Sequence, residues 1–287
     1  CNMYDLMIIG SGPAGISAAL TAKARNLNFI WFGSRALSTK IEKAEKIMNY
    51  PGLPAVTGSE MQSVFLKQID DCGITITESQ VNSIYDCGGY FAAGADNEIY
   101  EAKAVIMTVG MTTTREIEGE ARLLGCGVSY CATCDGALYK NKDIAVICES
   151  PKFEDEVKFL AGLANHIYLF TPYKATTLQY DNITHFNGLP ASVDGDKKVA
   201  SVTFKGEAIP VSGAFFLKDS INPGVLLSGL DMAGGHIIVD RTQMTNIDGV
   251  YAAGDCTGRP YQYAKAVGEG NVAVHSVLEY LKEHKDN

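Results

Sequence analysis

Residues 4–15 read YDLMIIGSGPAG, an apolar run that leads directly into a turn with three glycines. Apolar residues then recur at helical spacing, and a second apolar segment follows at residues 28–32. A strand, a glycine turn and a helix in this order are typical of a dinucleotide-binding unit, because bare backbone N–H groups at a helix N-terminus can approach a diphosphate. The sequence therefore predicts an α/β fold with a nucleotide at this turn.

The residues of this turn that we expect to contact the nucleotide are Gly10, Ser11, Gly12, Pro13, Ala14 and Gly15. The usual fingerprint also has an acidic residue at the end of the second strand, where it holds a ribose hydroxyl. In this chain that strand ends in Trp31-Phe32-Gly33-Ser34, without an acid. We therefore expect the nucleotide to bind with an altered ribose contact.

A second motif, CATCDG, occupies residues 131–136. Two thiols separated by two residues can close a small disulfide ring that opens and re-forms easily, and a neighbouring carboxyl can carry the proton that this exchange needs. The alternative is half of a zinc site, since CxxC is also a common metal hook. Zinc needs two further ligands, and the remaining cysteines and histidines show no second CxxC, CxxH or HxxxH. The motif predicts a redox centre and no metal.

Composition limits the kind of protein that carries these motifs. The chain has 287 residues, 46% of them hydrophobic and 20% charged, which suits one large or two ordinary globular domains. The apolar runs are far too short for a membrane span, and no basic segment precedes an apolar one. A net charge of -9 argues against nucleic acid as a partner. Eight cysteines are too few for a secreted disulfide scaffold, so we expect a cytoplasmic protein. The short apolar runs and the negative charge together predict no membrane and no nucleic-acid partner.

Later segments repeat the pattern of buried strands that end in glycine. We expect strands at residues 74–77, 104–110 and 249–255, helices at residues 58–71 and 264–282, and a meander at residues 80–101. The strand at 249–255 ends in Gly254-Asp255. An acid after a tight glycine at the carboxyl edge of a parallel sheet suits a ribityl or phosphate hydroxyl, although an ordinary strand-helix pair would look the same.

Five motifs together resemble the low-molecular-weight flavin-dependent thioredoxin reductases: GSGPAG at 10, NYPG at 49, TVG at 108, GVSYCATCDG at 127 and GVYAAGDC at 249. The resemblance spans nearly the whole chain in family order. It implies a homodimer in which residues 1–113 and 246–287 bind one non-covalent FAD per subunit, while residues 114–245 form an inserted NADPH-type domain with the CxxC at its start. It also implies that Cys134 faces the flavin, that Cys131 and Cys134 exchange with the disulfide of thioredoxin, and that Asp135 is the proton-transfer acid.

The resemblance extends the set of expected FAD contacts beyond the first turn. The further residues are Phe32, Gly33, Asn49, Gln80, Val81, Thr108, Gly110, Gly254, Asp255, Tyr263 and Ala264. Residues 261–264 read Tyr-Gln-Tyr-Ala where the family has Tyr-Arg-Gln-Ala. Tyr263 could therefore stack near the flavin ring or simply pack its helix, and both interpretations stay open.

The inserted domain departs from the family at three places that should bind NADPH. After the strand at 143–147 comes Cys148-Glu149-Ser150-Pro151-Lys152-Phe153, with no glycine and with a carboxylate where a diphosphate would lie. The next strand leads into residues 171–174, which hold one lysine and no arginine for a 2′-phosphate. A later strand continues into Lys218-Asp219-Ser220 where the family has glycine. We expect NADPH not to bind, the alternative being simple drift in a similar pocket.

Without NADPH, the flavin needs another electron source, and a flavin can accept single electrons from an iron-sulfur protein. The whole sequence resembles the ferredoxin-dependent flavin thioredoxin reductases of anaerobic bacteria, which lack the NADPH motifs. The resemblance implies ferredoxin as donor and thioredoxin as acceptor. The alternatives are a flavin-dependent dithiol oxidase, an NADPH-dependent reductase with a divergent site, and a non-catalytic FAD-bound redox sensor.

Charge gives no clear docking surface for an acidic ferredoxin. Both the inserted segment and the remainder of the chain carry more acidic than basic residues. Lys140, Lys142, Lys152 and Lys158 could form a local basic patch, or they could belong to an ordinary solvated face.

Overall fold

The computed structural model describes residues 3–42, 44–96, 98–111, 117–174, 178–218 and 222–284, without the side chains of Thr39, Lys40 and Cys134. The chain divides into two compact units. Unit 1 consists of Cys1–Thr112 and Leu226–Asn287, and unit 2 consists of Thr113–Val225. Each unit has helices and a sheet that contains parallel strands, so the predicted α/β class is confirmed.

The strands, in chain order, are β1 (Tyr4–Ile9), β2 (Phe29–Phe32), β3 (Val81–Asp86), β4 (Phe91–Ala95), β5 (Glu98–Met107), β6 (Val128–Ser129), β7 (Asp143–Cys148), β8 (His166–Thr171), β9 (Ile183–Asn187), β10 (Ser192–Asp194), β11 (Ser201–Phe204), β12 (Glu207–Pro210), β13 (Ala214–Leu217), β14 (Met232–Ala233), β15 (His236–Ile237) and β16 (Val250–Ala252). The α-helices are α1 (Pro13–Ala24), α2 (Thr39–Glu42), α3 (Gly58–Asp71), α4 (Ala132–Asp135), α5 (Glu154–Ala161), α6 (Pro223–Leu226) and α7 (Tyr263–Glu283). Short 3₁₀ turns occupy Gly136–Tyr139, Pro151–Phe153 and Asp255–Thr257.

The main sheet of unit 1 has the strand order β2-β1-β5-β4-β3, with β16 also paired to β5. Strands β1, β2, β5 and β16 are parallel, whereas β3 and β4 form an antiparallel extension along the first half of β5. Residues 6–9 of β1 are all buried, as expected for a parallel strand that is covered on both faces. The sheet therefore places the ends of β1, β5 and β16 side by side at its carboxyl edge.

Helices α1 and α7 of unit 1 approach each other very closely. A Cβ atom added at Gly270 of α7 would lie 2.2 Å from the backbone oxygen of Ala14 in α1. Alanines on α1 (Ala18, Ala19 and Ala22) are fully buried. Small side chains on both helices thus allow α7 to lie against the first turn of α1, next to the place where the nucleotide is expected.

Unit 2 contains a five-stranded, wholly parallel sheet of order β6-β13-β7-β8-β9. A separate antiparallel sheet, β10-β11-β12, lies in the same unit. The buried side chains of β7, β8 and β13 pack against α5 in one apolar core. The strand tips of β6, β7 and β13 consequently lie next to one another, and the residues that follow them form the functional edge of this unit.

Most predicted elements are present, including α1, α3, α7 and the strands before each glycine turn. The predicted strand at residues 74–77 is wrong, because only Thr77 pairs, through a single parallel bridge to Phe32. The alternation of side chains there reflects burial of Ile74 and Ile76 in the apolar core that α3 also joins, rather than a continuous ladder. No described helix is long and apolar enough to cross a bilayer.

Candidate active site

The glycine turn of unit 1 is shaped by two positions that cannot carry a side chain. Gly10 has φ +115°, and an added Cβ atom would lie 2.3 Å from the backbone oxygen of Thr108. An added Cβ atom at Gly15 would lie 2.0 Å from the backbone oxygen of Gly10. Gly12, the N-cap of α1, has no heavy atom within 4 Å of its added Cβ. The turn therefore packs tightly on its inner side and leaves open space at the helix N-terminus, which fits a diphosphate.

Two side chains hold this turn against the sheet. Trp31 Nε1 donates a hydrogen bond of 2.8 Å to the backbone oxygen of Gly10. Thr108 Oγ1 lies 2.9 Å from the oxygen of Ile9 and 3.0 Å from that of Gly10. Thr108 was predicted as a cofactor contact, and its hydroxyl is turned to the backbone of the turn. Trp31 was not predicted, because an indole in an apolar strand gives no sequence signal of a polar role.

Ser11 and Gly33 lie side by side, where the ends of β1 and β2 meet. An added Cβ atom at Gly33 would be 2.5 Å from Ser11 Cβ, and Ser11 Oγ accepts a hydrogen bond of 2.9 Å from the backbone nitrogen of Ser34. Phe32 is buried and its ring packs edge-on against Tyr100, 5.1 Å between centroids. The ring of Phe32 is therefore part of the core, and only its backbone lies at the sheet edge.

The tip after β16 is held by one ion pair of α7. Lys265 Nζ donates to the backbone oxygens of Gly254 (2.9 Å) and Gly258 (2.8 Å) and lies 3.1 Å from Glu269 Oε2. Glu269 in turn accepts 2.8 Å from the backbone nitrogen of Gly254 and 3.0 Å from Thr257 Oγ1. These two side chains fix the Gly254-Asp255 turn. The sequence analysis missed both, although their i,i+4 spacing on a helix was a usable signal.

The remaining predicted FAD residues lie on several different elements of unit 1. Asn49 Nδ2 donates 2.8 Å to Gln262 Oε1, next to the start of α7. Burial, together with the charge of Asp255, raises the pKa of the Tyr263 hydroxyl, so this phenol stays neutral beside the turn. Gly110 has φ +68° and open space around it. Val81 is the first residue of β3, and Gln80 directly precedes it. Ala264 lies in the first turn of α7.

The dithiol loop of unit 2 begins directly after β6. Cys131 and Ala132 are buried, and α4 carries the second cysteine and Asp135. Ser129 Oγ lies 2.6 Å from Asp135 Oδ2 and 3.1 Å from the backbone nitrogen of Cys131. Cys131 Sγ lies 3.5 Å from Thr133 Oγ1. The side chain of Cys134 lies outside the described atoms. Its backbone lies in α4, two residues after Ala132.

The neighbouring strand tips of unit 2 hold a buried charged cluster. Lys218, directly after β13, forms an ion pair with Glu120, and both side chains are almost fully buried. The hydroxyl of Tyr130 donates to the same carboxylate. Glu149, directly after β7, is half-buried, and burial raises the pKa of its carboxyl while the Lys218 charge opposes that rise. Asp219 and Ser220, which we also singled out, lie outside the described residues.

This cluster occupies the edge at which a second nucleotide was expected in the family. Carboxyl edges of parallel sheets bind ligands where glycine turns leave space. Here β7 runs into Glu149, Ser150 and a 3₁₀ turn that begins at Pro151. Cys148, the last residue of β7, lies 3.2 Å from the Tyr173 hydroxyl, and burial raises the pKa of its thiol. The end of β7 thus has a side-chain partner inside the unit, and no glycine follows it to leave space for a diphosphate.

The four lysines considered as a docking patch have ordinary surface surroundings. Lys158 Nζ pairs with Asp155 at 2.7 Å. Lys142 and Lys152 lie over the rings of Tyr139 and Phe153, 5.4 and 4.8 Å from the centroids. Lys140 is exposed. These contacts fit a solvated face.

Within the part of the chain that the structure covers, no group of three or more His, Cys, Asp or Glu side chains could hold a metal ion. A dinucleotide turn in one α/β unit and a CxxC loop in another define an oxidoreductase of the disulfide-exchanging class. The chain belongs to the pyridine nucleotide-disulphide oxidoreductase family, whose family model matches residues 4–148 and 190–270.

Solved structures show which members of this family the chain is similar to. Two crystal structures of a ferredoxin-flavin thioredoxin reductase from Clostridium acetobutylicum are 42% and 44% identical to this chain, with TM-scores of 0.87 and 0.84. The first alignment covers 100% of both chains, and the second covers 98% of this chain and 99% of the other. A thioredoxin reductase of Listeria monocytogenes is 26% identical over 307 residues, covering 100% of this chain and 96% of the relative. The resemblance predicted from the motifs is confirmed, and these relatives imply FAD as the cofactor.

Proposed function

We propose that this protein is a flavoprotein disulfide reductase that takes electrons from reduced ferredoxin and passes them through FAD and the Cys131/Cys134 disulfide to thioredoxin. The observation that carries the donor assignment is the buried Lys218–Glu120 ion pair beside Glu149, at the sheet edge where a nicotinamide dinucleotide would otherwise bind. The similarity to two ferredoxin-flavin thioredoxin reductase structures supports the same donor.

The residues of unit 1 would bind and orient the cofactor. Bound FAD supplies a carrier that can accept electrons singly and deliver them in pairs. The backbone of residues 10–15 would hold its diphosphate at the N-terminus of α1, and Gly254-Asp255, braced by Lys265 and Glu269, would bind its ribityl chain. This assignment rests on the tight inner packing of Gly10 and Gly15 and the open space at Gly12.

The dithiol loop would carry out the exchange with thioredoxin. The sulfur of Cys131 takes part in a disulfide, which supports its pairing with Cys134 in the oxidised protein. Once reduced, one of the two thiolates attacks the thioredoxin disulfide, and the second then attacks the resulting mixed disulfide and releases reduced thioredoxin. Two electrons and two protons pass to thioredoxin, and the Cys131/Cys134 disulfide re-forms. Asp135, at the end of α4, is the group that carries a proton to and from these sulfurs.

The affinity for NADPH would be low, because the turn after β7 lacks contacts for its diphosphate. A diphosphate at the β7 turn would lack glycine N–H contacts and would face Glu149. It would lose two or three charge-assisted hydrogen bonds worth ~1.5–3 kcal/mol each. Since 1.4 kcal/mol is a factor of ten in affinity, the site is weakened at least about a hundredfold.

The test is an anaerobic titration of the purified flavoprotein, with flavin absorbance as the readout. Reduced ferredoxin is expected to bleach the flavin band, and excess NADPH or NADH is expected to leave it unchanged. Bleaching within seconds at micromolar NADPH would return the protein to the NADPH-dependent reductases. Steady oxygen consumption with a dithiol, and no bleaching by ferredoxin, would indicate a dithiol oxidase instead.

We also propose a homodimer with one non-covalent FAD per subunit, acting in the cytoplasm. The dimer and the stoichiometry rest on the family resemblance, and the compartment rests on the need of a CxxC dithiol for reducing surroundings. Solution scattering gives the mass, and the ratio of flavin absorbance to protein concentration gives the stoichiometry.

A further inference from the structure

Strand β6 ends at a serine whose hydroxyl lies between the two functional parts of the dithiol loop. Ser129 is 4% exposed, and β6 pairs with β13, so its backbone is fixed by the sheet. Its Oγ lies 2.6 Å from Asp135 Oδ2, 3.1 Å from the backbone nitrogen of Cys131 and 3.2 Å from the backbone oxygen of Cys131. One hydroxyl therefore contacts both the residue that begins the loop and the acid that ends α4.

The distances show which hydrogen bond this hydroxyl donates and which it accepts. A serine hydroxyl has one hydrogen to donate and two lone pairs to accept with. The approach to Asp135 is the shortest and has the length of a hydrogen bond to a carboxylate. The Cys131 N–H donates to the same oxygen. Oδ2 of Asp135 therefore accepts the hydrogen bond of Ser129, and the hydroxyl ties this carboxyl to the start of the dithiol loop.

We propose that Ser129 is a positioning residue for the dithiol centre, which acts by holding the Asp135 carboxyl in place through their hydrogen bond. This inference rests on the proposed function, since it assigns Asp135 to proton transfer. In the reverse reaction with dithiothreitol, one thiolate of the reagent attacks the Cys131/Cys134 disulfide. The S–S bond breaks, and the Asp135 carboxylate passes the proton of the attacking thiol to the leaving sulfur. The second thiol of the reagent then attacks the mixed disulfide and closes the oxidised ring, and its proton passes in the same way to the second cysteine, so that two electrons and two protons end on the cysteine pair.

Dithiothreitol is the probe, because this reaction needs neither ferredoxin nor thioredoxin. The rate of disulfide opening in the FAD-loaded protein is measured at neutral pH. The new thiols are trapped with iodoacetamide, and mass spectrometry of the intact chain gives the number of alkylated cysteines. The key comparison is Ser129→Thr against Ser129→Val, which have nearly the same shape and differ by the hydroxyl. We expect the threonine variant to react within about twofold of the native protein and the valine variant about tenfold more slowly, the loss of one hydrogen bond to a charged group.

The matched control is Ser192→Ala. Ser192 is a buried serine of the same unit, and its Oγ also lies near an aspartate two residues on, 3.0 Å from Asp194 Oδ2. This variant is expected to react at the native rate. A loss in Ser192→Ala equal to that in Ser129→Val would overturn the proposal, because any buried serine would then have the same effect.

The double variant Ser129→Val/Asp135→Asn tests whether the serine acts through the acid. We expect it to be no slower than Asp135→Asn alone. Equal rates for the threonine and valine variants, multiplied effects in the double variant, or a native rate for Asp135→Asn would each overturn the proposal. A native protein that reacts normally with dithiothreitol yet fails to reduce thioredoxin would overturn the proposed function instead, and the role of Ser129 would stand on the valine result.

Discussion

The ammonium group of Lys218 and the carboxylate of Glu120 form an ion pair whose side chains are 3% and 1% exposed. These residues lie 98 positions apart in the chain. Tyr130, which directly precedes the first cysteine of the dithiol loop, donates to the same carboxylate. The pair thus links the tip of β13 to the start of that loop inside unit 2.

Removal of one partner from this pair is expected to be costly. Lys218→Met leaves a buried carboxylate without its counter-ion, and we expect a loss of about 3–5 kcal/mol in the free energy of unfolding. Lys218→Met/Glu120→Gln is expected to lose clearly less, because the fully buried carboxylate of Glu120 is removed together with its counter-ion. Urea unfolding followed by circular dichroism measures both. The exposed pair Lys67–Asp71 supplies the control, since Lys67→Met should leave stability unchanged. Equal losses in the single and double variants would contradict this account.

Two glycines of the first turn should fail in different ways when replaced by alanine. Gly15→Ala places a Cβ atom against the backbone oxygen of Gly10, so the turn cannot form and FAD content should fall with stability. Gly12→Ala meets no protein atom, so the fold should be retained. Its methyl group would occupy the open space at the start of α1, and we expect FAD affinity to fall at least about tenfold, the equivalent of one lost charge-assisted hydrogen bond. Fluorescence of released FAD and thermal unfolding separate the two cases, and native affinity in Gly12→Ala would place the diphosphate elsewhere.

Cys134→Ser is expected to keep FAD and lose thioredoxin reduction, because no disulfide remains to receive electrons from the flavin. The yellow colour and flavin spectrum report cofactor binding, and turnover with reduced ferredoxin and thioredoxin reports activity. Cys126→Ser is the control, since Cys126 is an exposed free cysteine that lies outside the CxxC. Unchanged turnover in Cys134→Ser would remove this residue from the electron path.

The buried thiol of Cys256 is expected to lower the free energy of unfolding at alkaline pH. Its thiol is buried, lies 3.3 Å from the backbone oxygen of Ala253, and burial raises its pKa from 9.0 to about 12. Above pH 9 the unfolded chain releases this proton while the folded chain keeps it, so stability falls as pH rises from 9 to 12, by up to about 1.4 kcal/mol per pH unit from this group. Cys256→Ala is expected to lose less stability between pH 9 and pH 10 than the native protein. Identical slopes in urea unfolding would show that the thiol ionises equally in both states.

Much of the first site could be predicted because it is local. Glycine is required where the backbone has positive φ or approaches another strand closely, so the GSGPAG turn carries its own signal. The absence of glycine after β7 is equally local, since side chains follow directly where bare backbone would be needed. The strand predicted at residues 74–77 shows the limit of this reasoning, because alternating side chains indicate burial but not the presence of a partner strand.

The sequence by itself determined the turns, the CxxC spacing and the order of strands and helices, since these depend on residues that are neighbours in the chain. Tertiary structure alone decided which distant side chains meet: Lys218 with Glu120, and Lys265 with the Gly254–Gly258 turn. An ion pair or a hydrogen bond depends on distances of a few ångströms, and such distances between remote residues are set only when strands pair and helices pack around a common core.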